Sequence, residues 1–489
     1  MSLKQKTITG LLWTFSQQFS VQLVTFVVQI ILARILAPAE FGLLAMITIF
    51  NAIGIALMDG GMTSSLIRTV DADNEDYSTV FFINLGVSIF IYCILFICAP
   101  LISNFYNQPI LSGVVRLYSL SFVITALVGV QTTRLTKEMR FKTQMAMQIP
   151  SVIAGGIVGI VLAYLGYGVW SLVWMNLAES ILFTAQHWIF SGWYPTFTIN
   201  KAKLKYHFSF GYKLTLTSLI NAVFSNLYNI VIGKYFSVLQ VGLYNRAYTV
   251  QLFPVSNIAT ALKKVTYPVF ASITDDKKLK LAYKKIMQQV MFWVSPFIIF
   301  TGILAKPLFI VLLTDKWLPA VSYYQILCVV GLLWPLQLYN LNILAVKGRS
   351  DLLLKINIIR KITLVIWIVI SISFGMTALV IMQAVNAVVS YIYSSYYSGR
   401  FIDYSIWSQF KDIAPLILTA TAAGLFVIAG EYFFYDNLSN LLQLAIGFVT
   451  GYAIYFLSTF LLKLEAYNDF KNTFINMVYK RKKIKIIGE

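Results

Sequence analysis

A chain of 489 residues that is 58% hydrophobic and only 12% charged is too apolar for a water-soluble globular protein and too long for a single membrane anchor. Its mean hydropathy of +0.75 says the same. The formal net charge of +19 would suggest nucleic acid in a soluble protein, but the charges here follow the alternation of apolar runs, and no nucleic-acid partner is expected.

Taken in order, apolar runs of about 20 residues, the length that crosses a ~30 Å hydrocarbon core as a helix, recur from end to end. They fall at 11–33, 42–66, 79–103, 111–133, 147–166 and 168–189. After a polar, basic linker at 190–208 they resume at 209–233, 242–262, 286–309, 321–346, 356–374 and 376–398, and close with 412–434 and 438–462. The first run follows Lys4 and Lys6 as a signal peptide would, yet Gln17, Gln18, Gln22 and Gln29 interrupt it, so it reads as an uncleaved span. Between runs, loops on one face are short. On the other, the longest, from Lys263 to Lys285, carries Lys277, Lys280 and Lys284 at helical spacing and reads either as an interfacial helix or as a solvated linker. With the N-terminus cytoplasmic, all but six of the 38 Lys and Arg fall on the cytoplasmic side; the exceptions are Arg34, Arg116, Lys234, Arg246, Lys306 and Lys316. This positive-inside bias places both termini in the cytoplasm.

The two sets of six runs are copies. At an offset of 200 residues, Leu32 to Ile47 (LARILAPAEFGLLAMI) is repeated by Ile232 to Ala247 (IGKYFSVLQVGLYNRA), with Gly42 opposite Gly242, Leu43 opposite Leu243 and Arg34 opposite Lys234. Ala99-Pro100-Leu101 recurs as Lys306-Pro307-Leu308, and the basic loop from Arg134 to Lys142 as Lys347 to Lys355. Both halves start on the same face, so the repeats are parallel, related by an axis along the membrane normal. The expected fold is an all-α polytopic membrane protein of about 14 transmembrane helices. It divides into an N-terminal six-helix lobe (1–189), a cytoplasmic linker (190–208), a C-terminal six-helix lobe (209–398), two additional helices (412–462) and a basic cytoplasmic tail (463–489), the lobes being related by pseudo-two-fold symmetry.

Soluble-enzyme motifs are missing: there is no Gly-rich phosphate loop, no G-x-S-x-G, and only His187 and His207 as imidazoles. Cys93, Cys98 and Cys328 lie inside apolar runs, without metal or redox spacing, so neither a disulfide nor a bound metal is expected. Chemistry therefore has to come from polar groups inside the spans. Gln18, Gln22, Thr25 and Gln29 lie on one face of the first span, and Ser218, Asn221, Ser225 and Asn229 on one face of the seventh. A lone polar residue in a membrane helix usually joins helices, but tight packing prefers small side chains to rows of Gln and Asn. Two stripes at equivalent repeat positions point to a hydrated cavity between the halves, lined by spans 1 and 7.

Full charges inside a span cost about 2.5–3.5 kcal/mol each on insertion scales and call for a partner or a job. Asp59, in Asp59-Gly60-Gly61, and Glu179 are candidates for ion or proton coupling, with pairing to a neighbouring helix as the structural alternative. Arg246 lies about one turn into span 8, with Asn245 beside it; its first-half counterpart is Met46. A guanidinium binds phosphate oxygens bidentately and stays charged when partly desolvated, so Arg246 is the leading candidate for an anionic headgroup. Arg34 and Lys234, at helix ends, are secondary candidates, or interfacial anchors.

Taken together, Leu36-Ala37-Pro38-Ala39-Glu40-Phe41-Gly42, Asp59-Gly60-Gly61, Met139-Arg140-Phe141-Lys142, Gly242-Leu243-Tyr244-Asn245-Arg246-Ala247 and Tyr267-Pro268-Val269 resemble the polysaccharide exporters of the colanic-acid and O-antigen flippase type, in the multidrug/oligosaccharidyl-lipid/polysaccharide exporter superfamily. The resemblance covers essentially the whole chain. It implies two six-helix lobes around a central cavity, two extra C-terminal helices, and a non-enzymatic transporter in the bacterial inner membrane. Its substrate would be an undecaprenyl-pyrophosphate-linked oligosaccharide for exopolysaccharide, capsule or O-antigen synthesis, flipped from the inner to the outer leaflet by alternating access. No cofactor is implied, coupling to protons or sodium ions stays open, and the partners expected are the lipid-linked oligosaccharide, membrane lipids and polysaccharide polymerase components. Two other readings compete: a drug/cation antiporter of the same superfamily, against which the last two spans argue, and a membrane polymerase or ligase, which would carry its reacting groups on a large outer loop.

Overall fold

The computed structural model describes residues 3–435 and 438–472, and the side chains of all of these but 3–17, 257–265 and 434–435. Most of the basic tail expected at 463–489 lies outside the described residues. Every regular element among them is helical: α1 (Leu3–Ile35), α2 (Pro38–Asp59), α3 (Met62–Arg68), α4 (Asn74–Tyr106), α5 (Ile110–Tyr118), α6 (Leu120–Lys137), α7 (Phe141–Tyr164), α8 (Val169–Phe190), α9 (Lys201–Tyr235), α10 (Val238–Ala271), α11 (Asp276–Ile303), α12 (Ala305–Leu313), α13 (Ala320–Val346), α14 (Ser350–Ile372), α15 (Met376–Gly399), α16 (Ile406–Gly430) and α17 (Asn440–Leu461), with single short 3₁₀ and π turns besides. Each expected span is found in order. Eleven of the helical stretches, α5 and α6 counted together, are long and apolar enough to cross a membrane by length and composition. The other three are α8, which carries Asn176, Glu179, Gln186 and His187, α14, which carries Asp351, Lys355, Arg360 and Lys361, and α10.

Three expected spans are broken rather than continuous. The run at 42–66 is interrupted by Gly60 and Gly61, at φ +54° and +66°, a left-handed turn that glycine adopts without a Cβ clash. The run at 111–133 is divided at Ser119 and the one at 286–309 at Leu304. Lys277, Lys280 and Lys284 lie on the first turns of α11, continuous with the span that follows and capped by the Asp275 carboxylate on the Lys277 amide. The expected linker at 190–208 is irregular only to Asn200, whose side chain caps α9 by accepting from the Ala202 and Lys203 amides.

The chain packs as two compact units, Met1–Asn245 and Arg246–Glu489. The boundary falls inside α10, one helix later than the repeat boundary, so α9 packs in the first unit, against α2, α3 and α4. In that unit α1 lies on α7 and α7 on α8. Small residues allow the approach: the space a side chain would need at Gly156 is filled by Val28, and at Gly159 by Met175. Met62, Leu66, Tyr77, Val80, Phe81, Val130 and Trp193 form a buried cluster on α3, α4, α6 and the loop after α8.

In the second unit α11 packs on α13 and α16, α13 on α15, and α17 on α12 and α16. The two C-terminal helices are thus part of a packed body: Gly447 and Gly451 of α17 rest on Leu304 and Phe300, and Leu304 joins Val427 and Leu444 in a core. At the opposite end of α17, the Lys284 ammonium bridges the Asp412 and Glu465 carboxylates at 3.1 and 2.9 Å. That contact holds the Glu465 carboxyl below its ordinary range. Several buried polar groups in this unit are joined between helices. Tyr283 donates to Asn340 Oδ1 at 2.8 Å, Gln337 donates to the Ala387 carbonyl at 2.8 Å, and Arg360 donates to Gln337 Oε1 at 2.9 Å.

Candidate substrate-handling site

The repeat motifs are helix starts, built alike. At α2 the Ala37 amide donates to the Glu40 carboxylate at 3.1 Å; at α10 the Ser237 amide donates to Gln240 Oε1 at 3.2 Å and the Gln240 amide to Ser237 Oγ at 3.2 Å. Glu40 and Gln240 are 200 residues apart, so the same third-position acceptor caps both helices. The two starts then meet. A methyl group at Gly42 would lie 2.0 Å from the Val238 carbonyl oxygen, and one at Gly242 would lie 1.9 Å from the Pro38 carbonyl oxygen. Because Pro38 and Val238 also correspond at offset 200, the contact obeys the two-fold relation of the repeat: backbone rests on backbone, with each glycine supplying the space.

The opposite ends of α2 and α9 approach in the same manner, since a methyl group at Gly61 would lie 2.4 Å from the Gly211 carbonyl oxygen. Beside this contact lies a polar chain that sequence reading missed. Ser65 Oγ and His207 Nδ1 are 2.8 Å apart, and His207 Nε2 is 3.1 Å from Asp76 Oδ1. All three residues are buried, the imidazole completely. Lys203 Nζ adds contacts to Asp73 at 2.5 Å and to Glu75 and Asp76 at 3.2 Å, and this ammonium holds the Asp73 carboxyl well below its usual range. A serine, imidazole and carboxylate in sequence resemble a hydrolase triad, but with no surface open to a substrate they join α3, α4 and α9 instead. The only sequence signal was His207 itself; its partners lie at positions 65 and 76, too distant for any spacing rule.

The candidate residues are distributed as follows. On α1, Gln18, Thr25 and Arg34 are exposed and Gln22 and Gln29 half-buried; on α9, Asn221, Ser225 and Lys234 are exposed and Asn229 is buried. Thr48 of α2 donates to Asn226 Oδ1 at 3.0 Å, so polar contacts of α9 also join helices. Lys234 Nζ donates to the Phe105 carbonyl at 2.8 Å and sits 4.6 Å from the Phe105 ring centroid. Asp59 spans the break in its helix: its Oδ1 accepts from the Thr63 amide at 3.3 Å, on the first turn of α3. Glu179 is half-buried on α8, with its Cβ against Gly155 of α7. Asn245 is half-buried. Arg246 is buried, 6% exposed, with its guanidinium carbon 5.3 Å from the ring centroid of Trp317, itself fully buried. Among the described residues no group of three His, Cys, Asp or Glu side chains could hold a metal ion.

Comparison with known proteins places this arrangement. Residues 31–322 match the family model described as polysaccharide biosynthesis protein. The lipopolysaccharide biosynthesis protein WzxC of Escherichia coli K12 is 26% identical, across 88% of this chain and 90% of its own. An uncharacterized membrane protein in the cps region of Klebsiella pneumoniae is 25% identical across 98% and 100%. In fold, the lipid II flippase MurJ in an inward closed conformation matches with a TM-score of 0.73 at 13% identity, covering 92% of this chain and 99% of its own. An inward-facing multidrug resistance MATE transporter of the MOP superfamily matches at 0.59 and 19%, covering 78% and 96%. With a family model matched over more than half its length, the chain belongs to the family of polysaccharide biosynthesis proteins, and it has the fold of the lipid II flippase MurJ.

Proposed function

We propose that the protein flips an undecaprenyl-pyrophosphate-linked oligosaccharide from the inner to the outer leaflet of the bacterial inner membrane, by alternating access and without enzymatic turnover. One observation carries this reading: the chain is related along nearly its whole length to proteins named for polysaccharide biosynthesis, and it has the fold of a lipid II flippase. Both termini face the cytoplasm in this reading, and the product passes to polysaccharide polymerase components. The stripes of α1 and α9 supply hydrogen bonds to sugar hydroxyls: Gln18, Gln22, Thr25 and Gln29 from one, Asn221, Ser225 and Asn229 from the other. Arg246, with Asn245, answers the pyrophosphate, and Arg34 and Lys234 receive it at the membrane interface. Asp59 and Glu179 carry proton or sodium coupling. Asp59 suits that role because its carboxylate caps α3 across a glycine hinge, so a change of charge there alters the hinge directly. The test is a chromosomal deletion. Lipid-linked oligosaccharide should accumulate on the inner leaflet, unpolymerised, and return to normal with the gene supplied in trans; unchanged lipid-linked pools would reject the reading.

A further inference from the structure

The first unit carries a second feature suited to a lipid. An apolar groove of about 360 Å³ is lined by Ile49 and Phe50 of α2, Leu101, Ile102, Phe105 and Tyr106 of α4, and Ile230 of α9. Its one polar group, the Tyr106 hydroxyl, is committed to the Met46 carbonyl at 3.3 Å. Leu101 is 68% exposed and Phe105 42%, so the groove is open along one side. Lys234 stands at its rim, one turn beyond Ile230 on α9, with its ammonium against Phe105. That contact uses one of three ammonium donors and leaves the exposed head available to an anion.

We infer that this groove holds the first isoprene units of a polyprenyl phosphate, with Lys234 on the phosphate. The inference rests on the proposed lipid-linked substrate and gives its lipid end a seat. A slot with a cation directly at its rim is the complement of a lipid whose phosphate is attached at the end of a single chain. A diacyl phospholipid fits less well, because it brings two chains and sets its phosphate off from both by a glycerol.

The test uses the purified full chain in nanodiscs of phosphatidylethanolamine and phosphatidylglycerol, with undecaprenyl phosphate as the probe. A p-benzoylphenylalanine replaces Leu101 in the groove or, as a control, Ile157, which is exposed on α7. Mass spectrometry of the photo-adducts should show the prenyl phosphate enriched at least about tenfold at position 101 over position 157, with the enrichment lost several-fold in Lys234→Ala and in Ile230→Trp, which fills the slot. Equal labelling at both positions, adducts of phospholipid alone, or full enrichment without Lys234 would overturn the assignment. The outcome is independent of flipping: a wild-type protein that binds the probe here but moves no lipid-linked oligosaccharide would defeat the proposed function and leave the groove standing, and the reverse result would do the opposite.

Discussion

The Arg246 guanidinium lies over the Trp317 indole, a contact of the kind that contributes about 0.5–2 kcal/mol, and its N–H donors form a planar fork that matches phosphate oxygens. If those donors meet the substrate's phosphates when the site opens, Arg246→Ala should slow flipping at least about tenfold, roughly 1.4 kcal/mol in barrier, with Arg246→Lys intermediate because it keeps the charge and loses the fork. Both should insert normally. An Ala variant that flips at the wild-type rate would remove Arg246 from the mechanism, and full rescue by Lys would remove the bidentate argument. The imidazole of His207 gives a prediction of another kind. It joins Ser65 and Asp76 in a buried place, so His207→Ala takes the imidazole from the Ser65 hydroxyl and from Asp76 Oδ1, while Lys203 keeps its contact to Asp76, at a cost of about 1–3 kcal/mol. A lower unfolding temperature in detergent, partly restored in His207→Gln, is the expected result; an unchanged temperature would mean that Ser65 and Asp76 find other partners. At this scale the sequence was informative about Arg246, because a charge in an apolar run stands out. It was silent about the Ser65, His207 and Asp76 chain, because side-chain contacts between distant helices leave no period in the chain.

Elements were more legible than side chains, for reasons that differ by element. The correspondence of Gly42 with Gly242 was readable as a repeat, but not that the two glycines touch, since offset says nothing of direction. The contact makes both positions intolerant of bulk, because carbonyl oxygens stand where Cβ atoms would go. Gly42→Leu and Gly242→Leu should each abolish flipping with expression retained, whereas Gly86→Leu, where nothing lies within 4 Å, should not. Normal flipping by either of the first two would show that the crossing is not held during transport. The breaks at Gly60–Gly61, Ser119 and Leu304 divide runs that read as continuous. The first has a visible cause in two adjacent glycines and the last in Pro307, which has no N–H for the Ile303 carbonyl where α11 ends and crowds it; nothing local in the sequence marks Ser119. Likewise the lysines at 277, 280 and 284 fit an amphipathic helix equally well alone or, as found, continuous with a span, because periodicity does not mark where water ends.

For the whole molecule, the alternation of apolar runs and the basic bias of every second connection give the order and expected orientation of the spans, which is why helices appear in the expected order despite the breaks. The same physics leaves the substrate nearly unreadable, since scattered Gln, Asn and Ser bond to any hydroxyl-rich ligand. Alternating access makes a prediction about those stripes. Single cysteines at Gln18, Thr25, Asn221 and Ser225 should react with membrane-impermeant reagents added from either face, more slowly when lipid-linked oligosaccharide is present; reaction from one face only would contradict it. The central claim is tested most directly by reconstitution. Purified protein in liposomes is given a fluorescent undecaprenyl-pyrophosphate-linked oligosaccharide in both leaflets, and a membrane-impermeant quencher is added outside. The account predicts that inner-leaflet label becomes quenchable over minutes in a protein-dependent manner, and that Arg246→Ala slows this; inner-leaflet label that stays protected as it does in protein-free liposomes would contradict it.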